Sequence, residues 1–392
     1  VDDVHAPVRG ATRIPRRWLF RFGLPAVVIV TMIISTVPSF FSTYRFAAFD
    51  TVPRDDYAPY LLALVGELGP EPHRNEKLFE GAPMAYRMLS VAVAVPAYQV
   101  LPYYAFSNLE DPDEPYLRAS AALALVSYVS VLLTILAVYL IARRRLACSR
   151  VASILVACFA YPLFDLVSTV GVDALAVLII ALLILFLDRP VVFVPLVVIS
   201  AGVNEKIVLI FLILTGMRTL VWLVRHRTAR GYPLWPQTLA SIVGAAVYVA
   251  IRRFIIPLPG WENQLDPLTW PSTFVTTLME TLSLKGLATN GVTLVVMAGL
   301  VAVAWLMARR LGDDAVVFRR SDVSVAVALL VISFSIGMGV TAGRLVAHAF
   351  PLYLPMVALL IDLYVGARVL TKPPPSAVRG KRLQAAGPST PP

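Results

Sequence analysis

Apolar residues run through this chain in long blocks broken by short basic or acidic stretches, and block length carries most of the structural information. Residues 22–44, 119–141, 151–170, 207–224, 237–257, 291–307, 323–340 and 345–365 are each predominantly apolar. About 20 residues at a helical rise of 1.5 Å cross the roughly 30 Å hydrocarbon core of a bilayer. A loop in hydrocarbon cannot satisfy its own backbone groups, so crossing segments must be helices. Blocks 174–187 and 191–201 are too short to stand upright across the core. They must thin the membrane, recruit flanking residues or line a cavity. Their outer ends hold Asp165, Asp173, Asn204, Glu205 and Lys206. Ionisable groups at membrane depth cost about 2.5–3.5 kcal/mol each on insertion scales, and they turn to a cavity or a partner. A polar cavity is therefore expected at that end.

The block at 86–106 decides the topology. If it crosses, the acidic segment 107–118 falls inside and Arg143, Arg144 and Arg145 fall outside, with every later loop inverted. If it does not, the inner side holds 23 Lys and Arg and the outer side 11, together all 34. That asymmetry matches the excess of cations that cytoplasmic loops carry. Pro96 and Pro102 interrupt its helical pattern, and Arg87 and Gln99 sit within it. The block reads as one or two re-entrant or juxtamembrane helices. The expectation is an all-α polytopic membrane protein with about ten crossings and both termini cytoplasmic. Juxtamembrane helices are expected in its first outer loop, and the expected location is a bacterial inner membrane.

Composition agrees: 58% of residues are apolar and 15% charged, far from soluble averages. The formal charge of +10 is split into short clusters between apolar blocks, a topology signal rather than a nucleic-acid face. Residues 1–21 form a basic cytoplasmic segment before a retained anchor. A membrane module follows over 22–230, with its outer loop at 45–118. Further crossings occupy 231–367 around a second outer loop at 258–290, and 368–392 is a Pro-rich basic tail, expected to be disordered. Cys148 and Cys158 read as small apolar residues without a disulfide framework. Five of the six Trp, among them Trp222 and Trp235, fall near block ends, as interfacial Trp do. No internal repeat is evident, which gives no support to an inverted-repeat transporter.

The first outer loop gathers 11 of the 24 acidic residues, with Asp50, Asp55 and Asp56 inside seven positions. Asp55 suits the N-cap of an amphipathic surface helix over 55–68, striped by Tyr57, Leu61, Leu64 and Leu68. Capping uses one carboxylate, not three. Carboxylates at a membrane face suit deprotonation of a hydroxyl nucleophile. They could equally bind a divalent cation, and no other cofactor is called for. Outer cations run against the topology rule and need a reason. Lys206 and Arg344, at the outer ends of apolar blocks, are able to hold a lipid phosphate. The plainer account is snorkelling or pairing, as between the neighbours Glu205 and Lys206. His348, four residues after Arg344 on the same helical face, reads first as a buried structural histidine. No spacing forms a metal site, a phosphate-cradling glycine loop or a Ser-His-Asp set.

Asp55-Asp56 followed by Tyr60, the run from Lys77 through Glu80 to Arg87, and the short helices ending in Asn204-Glu205-Lys206 resemble the GT-C glycosyltransferase superfamily. The resemblance covers roughly the first 230 residues and is architectural. Where the family usually carries an Asp-Glu pair, this chain has Asp-Asp. It implies an inverting transfer of sugar from a polyprenyl-phosphate donor to a lipid, glycan or protein acceptor, on the extracytoplasmic face. Asp55 would be the general base, with Asp56 and Asp50 as alternates. Lys206, Arg344 and Arg87 would hold the donor phosphate. Tyr60, Glu80, Asp173, Glu205 and His348 would line the acceptor cavity. A lipid-phosphate leaving group needs no nucleotide site. The alternatives are a lipid-linked saccharide transporter or flippase, or a glycan polymerase or ligase.

Overall fold

The structure, a computed structural model, describes residues 87–101, 114–160, 173–251, 348 and 350–364, with isolated positions between 254 and 284. Every element of any length among the described residues is a helix. In chain order these are α1 (Met88–Val100), α2 (Glu114–Leu140), α3 (Arg150–Phe159), α4 (Asp173–Leu185) and α5 (Pro190–Ser200). After them come α6 (Glu205–His226), α7 (Trp235–Ala250) and α8 (Phe350–Tyr364). A π-helical turn, Ile141–Arg145, continues α2. Two stretches, Arg118–Arg145 and Lys206–His226, are long and apolar enough to cross a membrane. The chain is all-helical where described.

Local sequence explains the helix ends. Ser149 caps α3, its hydroxyl accepting from Ala152 N at 3.1 Å. Asn204 caps α6 in the same way, accepting from Lys206 N at 3.0 Å. Both are short polar side chains that satisfy one orphan N–H of the first turn. α6 ends at Arg227 in the left-handed conformation, φ 50°, whose N–H returns to Leu223 O at 2.8 Å. The short blocks are indeed short helices: α4 has 13 residues and α5 has 11. These rise only about 20 and 17 Å.

α4 packs along α2, joined at their C-termini where Arg145 Nε and Nη2 donate to Leu185 O at 2.9 and 2.6 Å. The core between them is Val131, Ile135, Val138, Ile180, Leu183 and Ile184, met from α5 and α6 by Phe193, Ile207, Phe211 and Leu214. Phe193 and Phe211 meet edge to face at 5.6 Å, a geometry their ring quadrupoles favour. α7 closes on α5 and α6, and α8 on α3 and α4. Leu133, Leu136, Leu220, Val224 and Ile242 face outward.

α1 departs from the sequence expectation at Pro96. Pro96 does not break it; the helix continues to Val100 and ends where Leu101 is extended ahead of Pro102. It is a single helix of 13 residues, about 20 Å long, packed on α2. Its first turn is tied to the α5–α6 turn: Leu89 N donates to Gly202 O at 3.1 Å and Ser90 Oγ to Val203 O at 3.4 Å. Its last turn lies by Arg118, whose guanidinium stands 5.8 Å from the Tyr98 ring. α1 therefore rises from the α5–α6 turn towards the start of α2.

Candidate functional site

Three separate parts of the chain bring polar groups to one end of α4. Asp173 opens α4 and is buried. Its Oδ1 is 3.6 Å from Lys206 Nζ, 3.5 Å from His348 Nε2 and 3.4 Å from Asn204 Nδ2. The charge of Arg87, just before α1, also acts on it, and Arg87 is itself buried. An ammonium, an imidazole and an amide thus face one carboxylate in an apolar bundle, with the charge of Arg87 acting on it as well. Each charge is tolerable there only because the others are present.

Asn204 has two roles that sequence spacing does not reveal. Its Oδ1 caps α6 while its Nδ2 holds Asp173, so one buried amide fixes both the start of α6 and the carboxylate opposite. Lys206 follows two residues later, on the first turn of α6, which directs its ammonium towards α4 rather than along the surface. Lys206 reaches Asp173, so pairing within Glu205-Lys206 is not needed to account for it. Asp173 Oδ1 is engaged three times, which makes it a holder of cations more than a proton acceptor.

Of the residues singled out from the sequence, Asp173, Lys206 and His348 come together here, and the charge of Arg87 acts on Asp173. Glu205 contributes the first residue of α6. Asp50, Asp55, Asp56, Tyr60, Glu80 and Arg344 lie outside the described residues. Asn204 was visible as a polar residue at a block end, but its contact with Asp173 spans 31 positions and only the fold brings it about. Both cysteines are free thiols, Cys148 buried and Cys158 exposed. No group of three or more His, Cys, Asp or Glu among the described residues forms a metal centre. Against protein-family models, curated proteins and solved structures, the chain finds no match.

Proposed function

We propose that this chain is an integral-membrane glycosyltransferase of GT-C type, with about ten crossings, both termini cytoplasmic, and the Asp173 cluster on the extracytoplasmic side. The reading rests on one observation: Lys206 and His348 converge on Asp173 beside the end of two short helices, with the charge of Arg87 acting on the same carboxylate. Buried cations fixed by a carboxylate and a helix cap are preorganised to meet a phosphate at little reorganisation cost. The eight arginines Arg143, Arg144, Arg145, Arg150, Arg189, Arg225, Arg227 and Arg230 cluster at the opposite ends of the same helices, the charge bias of a cytoplasmic side.

In this mechanism Asp55, with Asp56 or Asp50 as alternate, takes the proton of the acceptor hydroxyl. The acceptor oxygen attacks the anomeric carbon from the face opposite the lipid phosphate. The carbon–oxygen bond to phosphate breaks, and the bonding pair leaves with polyprenyl phosphate. A single displacement inverts the anomeric configuration. Lys206, Arg87 and Arg344 stabilise the charge that grows on the departing phosphate.

The test is release of polyprenyl phosphate from a panel of polyprenyl-phosphate sugars by the full chain in nanodiscs. Asp55→Asn is expected to lower turnover at least 100-fold, the order of a lost general base. Expression and melting temperature should stay close to wild type. Full activity in Asp50→Asn, Asp55→Asn and Asp56→Asn alike would refute the assignment of the base to this loop.

A further inference from the structure

The turn between α6 and α7 has a construction that sugar transfer does not use: its backbone is satisfied from within. Trp222 Nε1 donates to Thr228 O at 3.1 Å and Trp235 Nε1 to Ala229 O at 2.9 Å, so two indoles, one from each helix, hold successive carbonyls. Tyr232 is buried between them, its ring 5.6 Å from that of Trp222 and 5.7 Å from that of Trp235. Arg227 N returns to Leu223 O at 2.8 Å, and Arg230 N donates to Thr228 Oγ1 at 3.1 Å. The His226 ring stacks on Trp222 at 3.8 Å. A loop in bulk water can leave such groups to the solvent, whereas one that lies against lipid cannot.

The surface of the turn points the same way. Leu220, Leu223 and Val224 form an exposed apolar stripe on the last turns of α6, and Leu239 is exposed early in α7. The stripe ends at Arg227, which is exposed, as is Arg230 three residues on. The sequence holds no Asp or Glu between Glu205 and Glu262, so nothing in this part of the chain neutralises them. Apolar stems, paired indoles and a cationic tip together make the profile of a segment at a bilayer boundary. Lys206–His226 is of membrane length, so the turn begins where that helix would leave the hydrocarbon.

We propose that the α6–α7 turn docks in the headgroup layer of the bilayer, where Arg227 and Arg230 hold the phosphates of anionic phospholipid. This docking requires that α6 cross the membrane and is independent of sugar transfer. Guanidinium groups suit phosphate oxygens because they offer several N–H donors in a planar fork. With both indole N–H groups paired inside the turn, the rings enter the interface with no donor left unsatisfied. Lipid is the occupant, rather than an acidic protein segment, because the cations stand at the end of an apolar stripe. A soluble partner meeting only the arginines would leave Leu223 and Val224 in water.

The experiment places a bimane fluorophore on Ala229→Cys, an exposed position, in the full chain carrying Cys158→Ser and held in nanodiscs. A second probe on Leu220→Cys reports on the α6 stripe. Quenching is read with aqueous iodide and with headgroup-nitroxide phosphatidylglycerol or phosphatidylcholine. Both probes should be quenched by lipid-borne nitroxide and shielded from iodide. At Ala229→Cys phosphatidylglycerol should be preferred to phosphatidylcholine about 25-fold, each cation near an anionic surface being worth about fivefold. Arg227→Gln and Arg230→Gln should each lower that preference about fivefold. Arg189→Gln, an exposed arginine on the α4–α5 turn, should leave it unchanged. Trp235→Phe keeps a ring but frees Ala229 O, and should open the probe to iodide; no such opening would overturn the role given to the paired backbone. Iodide quenching at Ala229→Cys with lipid quenching at Leu220→Cys overturns the docking, leaves the crossing of α6 standing and gives the arginines to a soluble acidic partner. Iodide quenching at both positions overturns the crossing as well. Equal preference for the two lipids, or an Arg189→Gln effect as large as that of Arg227→Gln, overturns the hold of these arginines on anionic phospholipid.

Discussion

Replacing Asp173 by Asn keeps the size of the side chain and removes its charge, leaving Lys206 beside a neutral amide inside the bundle. The Lys206 side chain is 15% exposed, so water relieves little of that burden. Breaking a buried pair by neutralising one partner costs about 3–5 kcal/mol, mostly as the desolvation of the charge left behind. Arg87 and His348 lose the same counter-charge, while Asn204 keeps a carbonyl or amide to bond. We expect Asp173→Asn to destabilise the chain by about 3 kcal/mol. Lys206→Met should cost less, because the carboxylate keeps Arg87, His348 and Asn204. The double variant should be more stable than the sum of the two losses by about 1–3 kcal/mol, the range for residues in one network. Reversible unfolding of the full chain by SDS in mixed micelles measures all four corners of this cycle. An Asp173→Asn variant within about 0.5 kcal/mol of wild type, the level of an ordinary surface change, would refute the buried-pair argument. So would strict additivity in the double variant.

Further outcomes follow from single contacts. Asn204→Ser should keep the cap on α6 but lose the bond to Asp173, while Asn204→Ala loses both; the second should be less stable by about 1 kcal/mol, and equal losses would deny Asn204 its capping role. A Cβ on Gly244 would lie 3.2 Å from Val197 O, a backbone atom of α5, so Gly244→Ala must spread α5 from α7 at a cost of about 1–2 kcal/mol. A Cβ on Gly202 would come to 2.7 Å from Leu89 Cδ1, the end of a half-exposed side chain that can turn away. Gly202→Ala should therefore cost less than Gly244→Ala in the same unfolding assay, and the reverse order would contradict these contacts. An accessible-cysteine probe at Asp111 should react from the extracytoplasmic side; labelling from the cytoplasm would overturn the re-entrant path of α1 and the proposed orientation together.

The short helices were legible because length alone excludes an upright crossing, and α4 and α5 came out at 13 and 11 residues. Their polar ends were legible too, since a charge at the border of an apolar block needs a partner. Parity of the crossings then put Asp173 and Lys206 on one side. Pro96 misled, as removing one backbone hydrogen bond need not stop a helix that packs on α2 and is pinned at Gly202. The arginines at the far ends of these helices, Arg145 and Arg218 among them, were read only as a topology signal. Counting charges per side cannot distinguish a guanidinium in lipid-facing surface from one in the core. The signal that separates them was in α6: Ile207, Phe211, Leu214 and Arg218 recur at helical spacing, so Arg218 must face inward with them. Pairings such as Asn204 with Asp173 or Gln237 with Leu187 join distant segments and leave no trace in local spacing.

The polar groups at the two ends of α6 also set a distance. Lys206 and Arg218 lie on one helix 12 residues apart, about 18 Å along its axis. Hydrocarbon is roughly 30 Å thick, so the two sets cannot both sit at the boundaries of an undistorted bilayer. α2 measures the remainder: Arg118 to Arg145 is 28 residues, about 40 Å, and Arg145 is level with the end of α4. The start of α2 thus stands roughly 20 Å beyond the Asp173 cluster, and α1 fills that interval. On the proposed orientation, with Arg145 at the inner boundary, Asp173, Lys206 and His348 lie about 10 Å below the outer one. Charges at that depth survive by neutralising one another, and any anion that joins them must descend beside α1 or meet a locally thinned membrane. On that orientation the length of α1 and the shortness of α4 and α5 are one device: together they would set polar groups within the thickness of the bilayer, with a helical wall on one side.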